Sequence, residues 1–564
     1  MSQSSSRAGF LRKEHIIAKP GFNRWLVPPA SIAIHLCIGS VYAWSVFNPA
    51  LTKLLGVAAP AADDWSLSSV VWIFSVAIVF LGLAAAFGGK WLEEVGPRMV
   101  GVVAASLWGG GFLIGSLGIS THQLWLIYLG YGAMGGCGLG FGYVSPVSTL
   151  IRWFPDRRGM ATGMAIMGFG GGAIIATPLI GWLLNHYAIA PTYLGAQDTV
   201  AIIVDAGRQF VETASGKVEV VVATAAQAAG IGGEEGVYVV GTGSTGAAST
   251  FITLGIGYFI VMIIAAFSYR VPAKDWKPEG WEPKPASANS MVTQNNVHID
   301  EALKTPQFWQ LWIVLCFNVT AGIGVIGVAK TMMSEIFGTS MPLVVTAAFA
   351  STFVLMISVF NMVGRFFWAS TSDAIGRKNT YHIFFVLGTI LYLSIPFFAS
   401  ASVGSSSMIY LIGFYIAAMI IFSMYGGGFA TIPAYLADIF GTMHVGGIHG
   451  RLLTAWSTAG VLGPLAITSL RDGSVSKAIA DLTSKVDPAA FAEKFGAPID
   501  QLKELVAAKT VTIARLVEIA PAGTVDPTAS LYNTTMYAMA ALLVIAFFAN
   551  WMVKPVDAKH HFKE

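Results

Sequence analysis

Charge is what this sequence has least of. Asp, Glu, Lys and Arg make up 11% of its 564 residues, against about 25% in an ordinary soluble domain. With 55% hydrophobic residues and a mean hydropathy of +0.66, this excludes a soluble globular chain and predicts an integral membrane protein. The net charge of +3 is spread over many loops, which leaves no basic face for a nucleic acid. Cysteine is scarce as well. Cys37, Cys137 and Cys316 sit far apart inside apolar runs, so neither a disulfide framework nor a thiolate metal site is expected. The sequence has no HExxH, no P-loop and no GxSxG, hence no expected enzyme activity, metal or cofactor. "VYVVGTGSTGAAST" carries Gly241, Gly243 and Gly246 at dinucleotide-fingerprint spacing after a β-like run. No βαβ unit surrounds it, and a membrane span starts within a few residues, so it reads as a loop.

Long apolar runs are what the chain has in quantity. About 20 apolar residues cross a bilayer, and twelve stretches qualify: 27–52, 67–88, 99–118, 124–151, 159–184, 250–270, 307–334, 344–369, 380–400, 407–436, 447–470 and 531–553. Residues 1–26 are polar and basic without the apolar core of a signal peptide, which predicts a cytoplasmic N-terminal tail. Alternate gaps then face inward, and those gaps hold Lys90 and Arg98, Arg152, Arg157 and Arg158, Arg270, Lys274 and Lys277, and Arg377 and Lys378. That distribution obeys the positive-inside rule and puts the 554–564 tail inside too. A multi-pass protein of the cell (inner) membrane is the expected location.

The rhythm breaks in ways that reveal a repeat. Residues 271–305, rich in Pro, Lys, Glu and Asn, form an inner linker between two six-span halves, 27–270 and 306–553. Outer insertions at 185–249 and 471–530 occupy the same place in each half; lying between spans without cavity-lining polar groups, they are expected to be dispensable for the core. "GGKWLEEVGPR" (88–98) and "ASTSDAIGRK" (369–378) both set acid, glycine and then base just past a helix end. An acid there can meet the positive N-terminus of the next helix, and the glycine permits a tight turn.

That loop, once per half in a twelve-span chain, resembles the signature of the major facilitator superfamily. The resemblance implies an all-α membrane fold of two six-helix bundles with a midplane substrate site. Its gating residues would be Glu93, Glu94 and Arg98 in the first half, with glutamates where an aspartate is usual, and Asp373, Arg377 and Lys378 in the second. "CIGSVYAWSVFNPAL" (37–51), "GLGFGYVSPVSTLIRWFPDRRGMATGMAIMGFGGGA" (138–173), "TPQFWQLW" (305–312) and "YGGGFATIPAYLADIFG" (425–441) are similar to the oxalate:formate antiporter family, a relative of monocarboxylate transporters. The "WFPDRRGMATG" block (153–163) is its most specific piece. Gly132, Gly136 and Gly140 at spacing four, and Gly163, Gly168 and Gly172, read as surfaces for close helix packing.

Arg365 lies eight residues before Asp373, roughly 12 Å into the membrane at 1.5 Å per residue. A guanidinium there either snorkels to the interface or faces the protein interior with a function. Asn361 is one turn earlier on the same helix face. Together they offer a forked cation and an amide suited to a planar carboxylate. In the resembling family an arginine at this place, in a pattern like "NMVGR", binds the substrate carboxylate. The resemblance implies that role for Arg365 and Asn361, and a cavity lined by Tyr143, Tyr425 and Phe429, which ordinary packing would also explain. His35 and Tyr42 share one face of the first span; His35 reads as a core histidine, a ligand donor or a proton carrier. Span eleven, "GRLLTAWSTAGVLGP", has Ala455 and Trp456 where oxalate-specific members carry a second cation, with Arg451 and His449 nearer the cytoplasm. One central cation favours a monocarboxylate such as formate, lactate, pyruvate or acetate over oxalate, while Lys330 either snorkels or supplies a charge. The expectation is a secondary active carboxylate carrier working by alternating access, moving a monocarboxylate or exchanging oxalate for formate, a functional monomer with a proton or counter-anion as co-substrate. The alternative is a carboxylate sensor signalling through a partner.

Overall fold

The computed structural model describes residues 11, 13–154, 158–214, 216–273, 276–280, 293, 295–405, 407–441 and 444–561, with backbone alone at 88–90, 92–94, 148, 151, 158–165 and 445–446. Twelve helices are long and apolar enough to cross a membrane, and we number them spans 1 to 12: Arg24–Val46, Leu67–Phe87, Pro97–Ser120, Leu124–Val147, Ile166–Tyr187, Ala247–Ser268, Pro306–Phe337, Ala347–Ile375, Arg377–Ser402, Met408–Phe440, Gly447–Thr483 and Pro527–Met552. The chain is a multi-pass membrane protein of all-α transmembrane architecture. Its helices start where the sequence supplies caps. Thr305 accepts from the Phe308 N–H with Pro306 at the first helical position of span 7, and Thr346 accepts from the Phe349 N–H to begin span 8, satisfying donors the helix leaves open.

Glycines set how closely the spans pack. A Cβ at Gly136 would lie 2.6 Å from the Ala77 carbonyl oxygen, and one at Gly140 would overlap the Leu81 carbonyl, so span 4 rests directly on the backbone of span 2. Gly168 and Gly172 do the same for span 5 against span 1. In the second half, a Cβ at Gly364 would overlap Ser423 and one at Gly426 would overlap Asn361, which locks span 8 onto span 10. These are the small-residue contacts that let helices associate where no hydrophobic force separates them from lipid. Gly163 and the 155–158 turn fall outside the described side chains.

Span 11 continues thirteen residues past its expected end at 470, to Thr483. Asp472, Ser474 and Ser476 break the apolar run, yet backbone hydrogen bonds carry the helix on. Arg471, paired with Glu335 of span 7, anchors it, and the Tyr532 hydroxyl donates to the same carboxylate at 2.5 Å. Burial of that pair with a third hydrogen-bonding group offsets its desolvation.

The two insertions form one cap. Residues 185–249 hold a five-stranded antiparallel sheet, order β1-β5-β4-β3-β2, from β1 Tyr193–Gly195, β2 Ile202–Asp205, β3 Arg208–Thr213, β4 Gly216–Ala223 and β5 Gly236–Val239. Past the end of span 11, residues 484–530 instead hold short helices, Pro488–Phe495, Leu502–Ala507 and Ile513–Val517. Thr510 Oγ1 donates to the Gly207 carbonyl at 2.6 Å and Gln197 Nε2 to the Lys494 carbonyl at 3.3 Å, joining the insertions across the halves. The segment between spans 1 and 2 is held beneath: Arg208 pairs with Asp63 at 2.6 Å, and Lys509 Nζ donates to the Ala61 carbonyl at 3.1 Å. The fingerprint-like glycines follow β5 of this antiparallel sheet; Gly241, Gly243 and Gly246 all take positive φ, and Gly246 leads into span 6. Their spacing serves a turn, with no parallel βαβ unit around it.

Candidate functional site

Arg365 stands ten residues before the end of span 8, about 15 Å from it along the axis, and is 3% exposed. Its guanidinium does not reach an interface. Nε donates to Asn361 Oδ1 at 3.0 Å, and the pair lies against Gly170 of span 5, where a Cβ would fall 2.8 Å from Nε. Ser358, one turn further, donates from Oγ to the Gly170 carbonyl at 2.5 Å. The arginine therefore sits where a span of one half crosses a span of the other. No carboxylate lies within salt-bridge distance of it among the described residues. Arg365 Nη1 and Asn361 Nδ2 are buried without a partner.

Aromatic rings close the space around that charge. The Arg365 Cζ lies 5.5 Å from the centre of the Phe429 ring, a cation–π contact. Tyr42 of span 1 and Tyr425 of span 10 join hydroxyls at 3.2 Å, and the guanidinium charge acts on Tyr42, Tyr143 and Tyr425. Trp456 of span 11 packs edge-on against Phe429 at 4.7 Å, Tyr143 at 5.7 Å and Phe169 at 5.8 Å, and its Nε1 is also buried without a partner. Three orphaned groups in one enclosure are all N–H donors. Leaving such groups unpaired costs about 1–3 kcal/mol each, and what would satisfy them is an acceptor-rich, negatively charged ligand.

Six of the residues named from sequence thus converge: Arg365, Asn361, Tyr42, Tyr143, Tyr425 and Phe429. His35 stands against Tyr143. It is fully buried behind Tyr143, donating from Nε2 to the Tyr143 carbonyl at 3.1 Å and stacking on its ring at 5.4 Å. The histidine gives the Tyr143 carbonyl a hydrogen-bond donor from span 1. It thereby braces a tyrosine of the enclosure. Sequence reading missed Phe169, Gly170 and the Trp456 N–H. Trp456 was legible as an indole deep in a span, a group that needs a polar partner.

On the face bearing the linker, Arg377 bonds Asp373 and Ser372 and reaches Asp438 of span 10 at 3.6 Å. Lys378 Nζ donates to the carbonyls of Trp551 and Val553, both at 2.8 Å, closing the end of span 12. Arg98 Nη2 does the same for span 6, donating to the Phe267 carbonyl at 3.1 Å. The side chains of Glu93 and Glu94 lie outside the described residues. Arg451 is held by Asp300 of the linker at 2.8 Å, so its charge is already occupied.

A buried cation between two six-helix bundles is the architecture of a membrane transporter, and the chain belongs to the Major Facilitator Superfamily, whose family model matches residues 35–196 and 222–464. Its fold is similar to a bacterial homolog of the human lysosomal transporter Spinster in an inward-facing conformation, at TM-score 0.57 and 16% identity over 97% of this chain and all of that one. The xylose transporter XylE from E. coli aligns at TM-score 0.54 and 11% identity, over 94% of this chain and 100% of the other. By sequence, the chain is 25% identical to the oxalate:formate antiporter of Oxalobacter formigenes, covering 78% of this chain and 83% of that protein. It is 22% identical to apicoplast pyruvate carrier 1 of Toxoplasma gondii (74% and 78% covered), and a shorter stretch, 23% of this chain and 29% of the other, is 33% identical to monocarboxylate transporter 13 of Rattus norvegicus.

Proposed function

We propose that this protein is a secondary active carrier of small carboxylates, binding one carboxylate at Arg365 and Asn361 and exposing it alternately to the two faces. The observation that carries the reading is the orphaned donor set, Arg365 Nη1, Asn361 Nδ2 and Trp456 Nε1, in an aromatic enclosure with no acid in salt-bridge distance of the arginine among the described residues. A forked guanidinium beside an amide matches the two oxygens of a carboxylate, and ring faces suit a small organic body. The similarity to an oxalate:formate antiporter and to pyruvate and monocarboxylate carriers points the same way.

A monocarboxylate such as formate, lactate or pyruvate is favoured over oxalate. Span 11 offers an indole N–H at this level, and its nearest guanidinium, Arg451, is taken by Asp300; a dianion would meet a single central cation. We place the cap outside and both tails in the cytoplasm of the cell (inner) membrane, following the basic loops, and read the working unit as a monomer. The test is uptake of labelled formate, lactate, pyruvate and oxalate into proteoliposomes, with and without a pH gradient or an internal counter-anion. Stimulated uptake of a monocarboxylate, lost in Arg365→Ala, is expected. Failure to move any of the four would overturn the reading.

A further inference from the structure

Each insertion of the cap is fixed to its own half. The first extends spans 5 and 6: Ile189 and Ser244 exchange backbone hydrogen bonds at 2.9 and 2.8 Å across its neck, and a Cβ at Gly246 would overlap the Leu184 carbonyl. The segment between spans 1 and 2 joins the same body, through the Gly241 N–H on the Leu55 carbonyl at 2.8 Å and a small core of Ala58, Ala59 and Ala61 against Val221, Ala223 and Tyr238. The second insertion extends span 11, which runs unbroken to Thr483 and is tied to span 7 by Arg471 and Glu335. Arg515 braces its short helices, donating to the Thr510 carbonyl at 2.9 Å and the Lys494 carbonyl at 3.4 Å.

Between these two bodies runs a joint that crosses from one half to the other. Thr510 holds the Gly207 carbonyl, Gln197 holds the Lys494 carbonyl, and the Lys509 ammonium bonds the carbonyls of Ala61 and Asp64. Packing there is close: a Cβ at Gly207 would lie 3.0 Å from the Glu504 carbonyl oxygen, and one at Gly496 would lie 2.8 Å from Val204 Cγ2. Strained backbone meets on both sides of it. Ala206, in the two-residue turn between β2 and β3, has φ 48°, and Lys509 has φ 59°, a conformation that side chains hold only where their surroundings impose it. Hydrogen bonds to carbonyls are individually modest in net strength, so a joint closed by a handful of them can part and re-form.

We infer that the paired insertions are a strap holding the two halves together on the cap side, and that opening toward that face requires the Lys509–Thr510 corner to undock from the Ala206–Gly207 turn. This rests on the carrier reading, in which the halves separate at one face and then the other. Because each insertion moves with its own half, separation at the cap face pulls directly on the joint.

A cross-link tests the strap. A Cβ at Gly496 would stand 3.9 Å from Val204 Cβ, within the span of a disulfide. In Val204→Cys/Gly496→Cys, oxidation should lower uptake of labelled formate, lactate or pyruvate into proteoliposomes at least about tenfold, as for any gating step that is blocked, and reductant should restore it. Oxidising either single-cysteine variant should change nothing. Loosening the joint should do the reverse: in Lys509→Met/Thr510→Val, labelling of Ser45→Cys, at a site fully buried between spans 1 and 7, by an impermeant maleimide from the cap face should quicken about fivefold or more, with the protein lacking Ser45→Cys as blank. Labelling needs no substrate and no disulfide, so it reads the strap even where the cysteine pair fails to insert. Undiminished uptake by the cross-linked protein, arrest in a single-cysteine variant, or labelling unchanged by loosening overturns the strap and leaves the carrier reading intact. A parent that moves none of these anions overturns the carrier reading itself.

Discussion

Spans 2 and 8 occupy equivalent places in the two halves, and their helices, running on to Val95 and Ile375, each stop at a glycine of nearly the same conformation: Gly96 at φ 88°, ψ 164° and Gly376 at φ 89°, ψ 147°. Two residues beyond each glycine a cation ties down the last span of its half, Arg98 on Phe267 and Lys378 on Trp551 and Val553. Counting back from the glycines, the likeness ends. Arg365 is eleven residues before Gly376 and Asn361 fifteen; the same counts before Gly96 give Ala85 and Leu81. Both are buried, against the glycine ladder of span 4. Arg377, which reaches Asp373 and Asp438, has Pro97 in its place. What the repeat preserves is the backbone turn and the capping of the sixth helix. The buried cation, its amide neighbour and the Asp373–Arg377–Asp438 charges belong to the second half, so the proposed site is asymmetric although the scaffold is not.

The most damaging way to break this comparison is to make span 8 resemble span 2. Arg365→Ala should abolish saturable carboxylate uptake, because losing one partner of a buried, charge-assisted contact costs about 2–5 kcal/mol, or roughly a hundredfold or more in affinity. Arg365→Lys keeps the charge but not the fork, and should still lower affinity about tenfold or more. Adding Ala85→Arg to the Arg365→Ala variant should restore nothing, since a Cβ at Gly140 would already lie 2.9 Å from the Ala85 nitrogen. Binding by the double variant would show that the halves are interchangeable after all.

Asn361→Asp is a subtler change at the same site. At neutral pH the new carboxylate would occupy the Arg365 fork that the substrate needs, and affinity should fall about tenfold or more. Protonating it frees the arginine, so affinity should recover as pH falls through the titration of that group. Affinity against pH, measured for parent and variant, should give diverging curves; parallel ones would mean that position 361 shares no ligand with Arg365.

The turn glycines come next. Their φ near +90° with extended ψ is a region that side chains rarely adopt, so Gly96→Ala and Gly376→Ala should each cost about 1–3 kcal/mol, read as a lower Tm in detergent. Gly96→Ala should cost more, because its Cβ would lie 2.9 Å from Lys13 Cβ, whereas nothing lies within 4 Å at Gly376. Equal losses at both would mean that backbone strain alone decides.

How much of this was legible follows from what each signal depends on. The spans were readable because crossing a bilayer demands about 20 apolar residues whatever the neighbours, and Arg365 stood out because charge at that depth is costly. Span 11 ran past its expected end because helix propagation does not require apolar residues, and nothing local announced the Arg471–Glu335 pair. The cap was invisible for a similar reason. Its sheet has an alternating stretch in "KVEVVVA", but the contact that makes one body of the insertions, Thr510 to Gly207, joins residues 303 apart. The Trp456 N–H carries no local signal, because its worth depends on three rings from other spans, Tyr143, Phe169 and Phe429.

The smallest expected effect tests the part of the repeat that is shared. Lys378→Gln and Arg98→Gln each remove a cation from the C-terminal carbonyls of a span, a place where positive charge is favourable by about 0.3–1 kcal/mol at exposed sites. Lys378 donates to two carbonyls; Arg98 donates to one and also lies over the Phe267 ring at 5.6 Å. The two losses should be similar, with Tm lowered by a few degrees at most and carboxylate affinity unchanged, because neither residue is near Arg365. Glutamine retains a donor, so the Lys378 variant should recover part of its bonding. If instead Lys378→Gln alone altered transport while Arg98→Gln did not, the second-half loop would be coupling its helix cap to the Asp373–Arg377–Asp438 relay. The asymmetry of the halves would then reach the one element they otherwise hold in common.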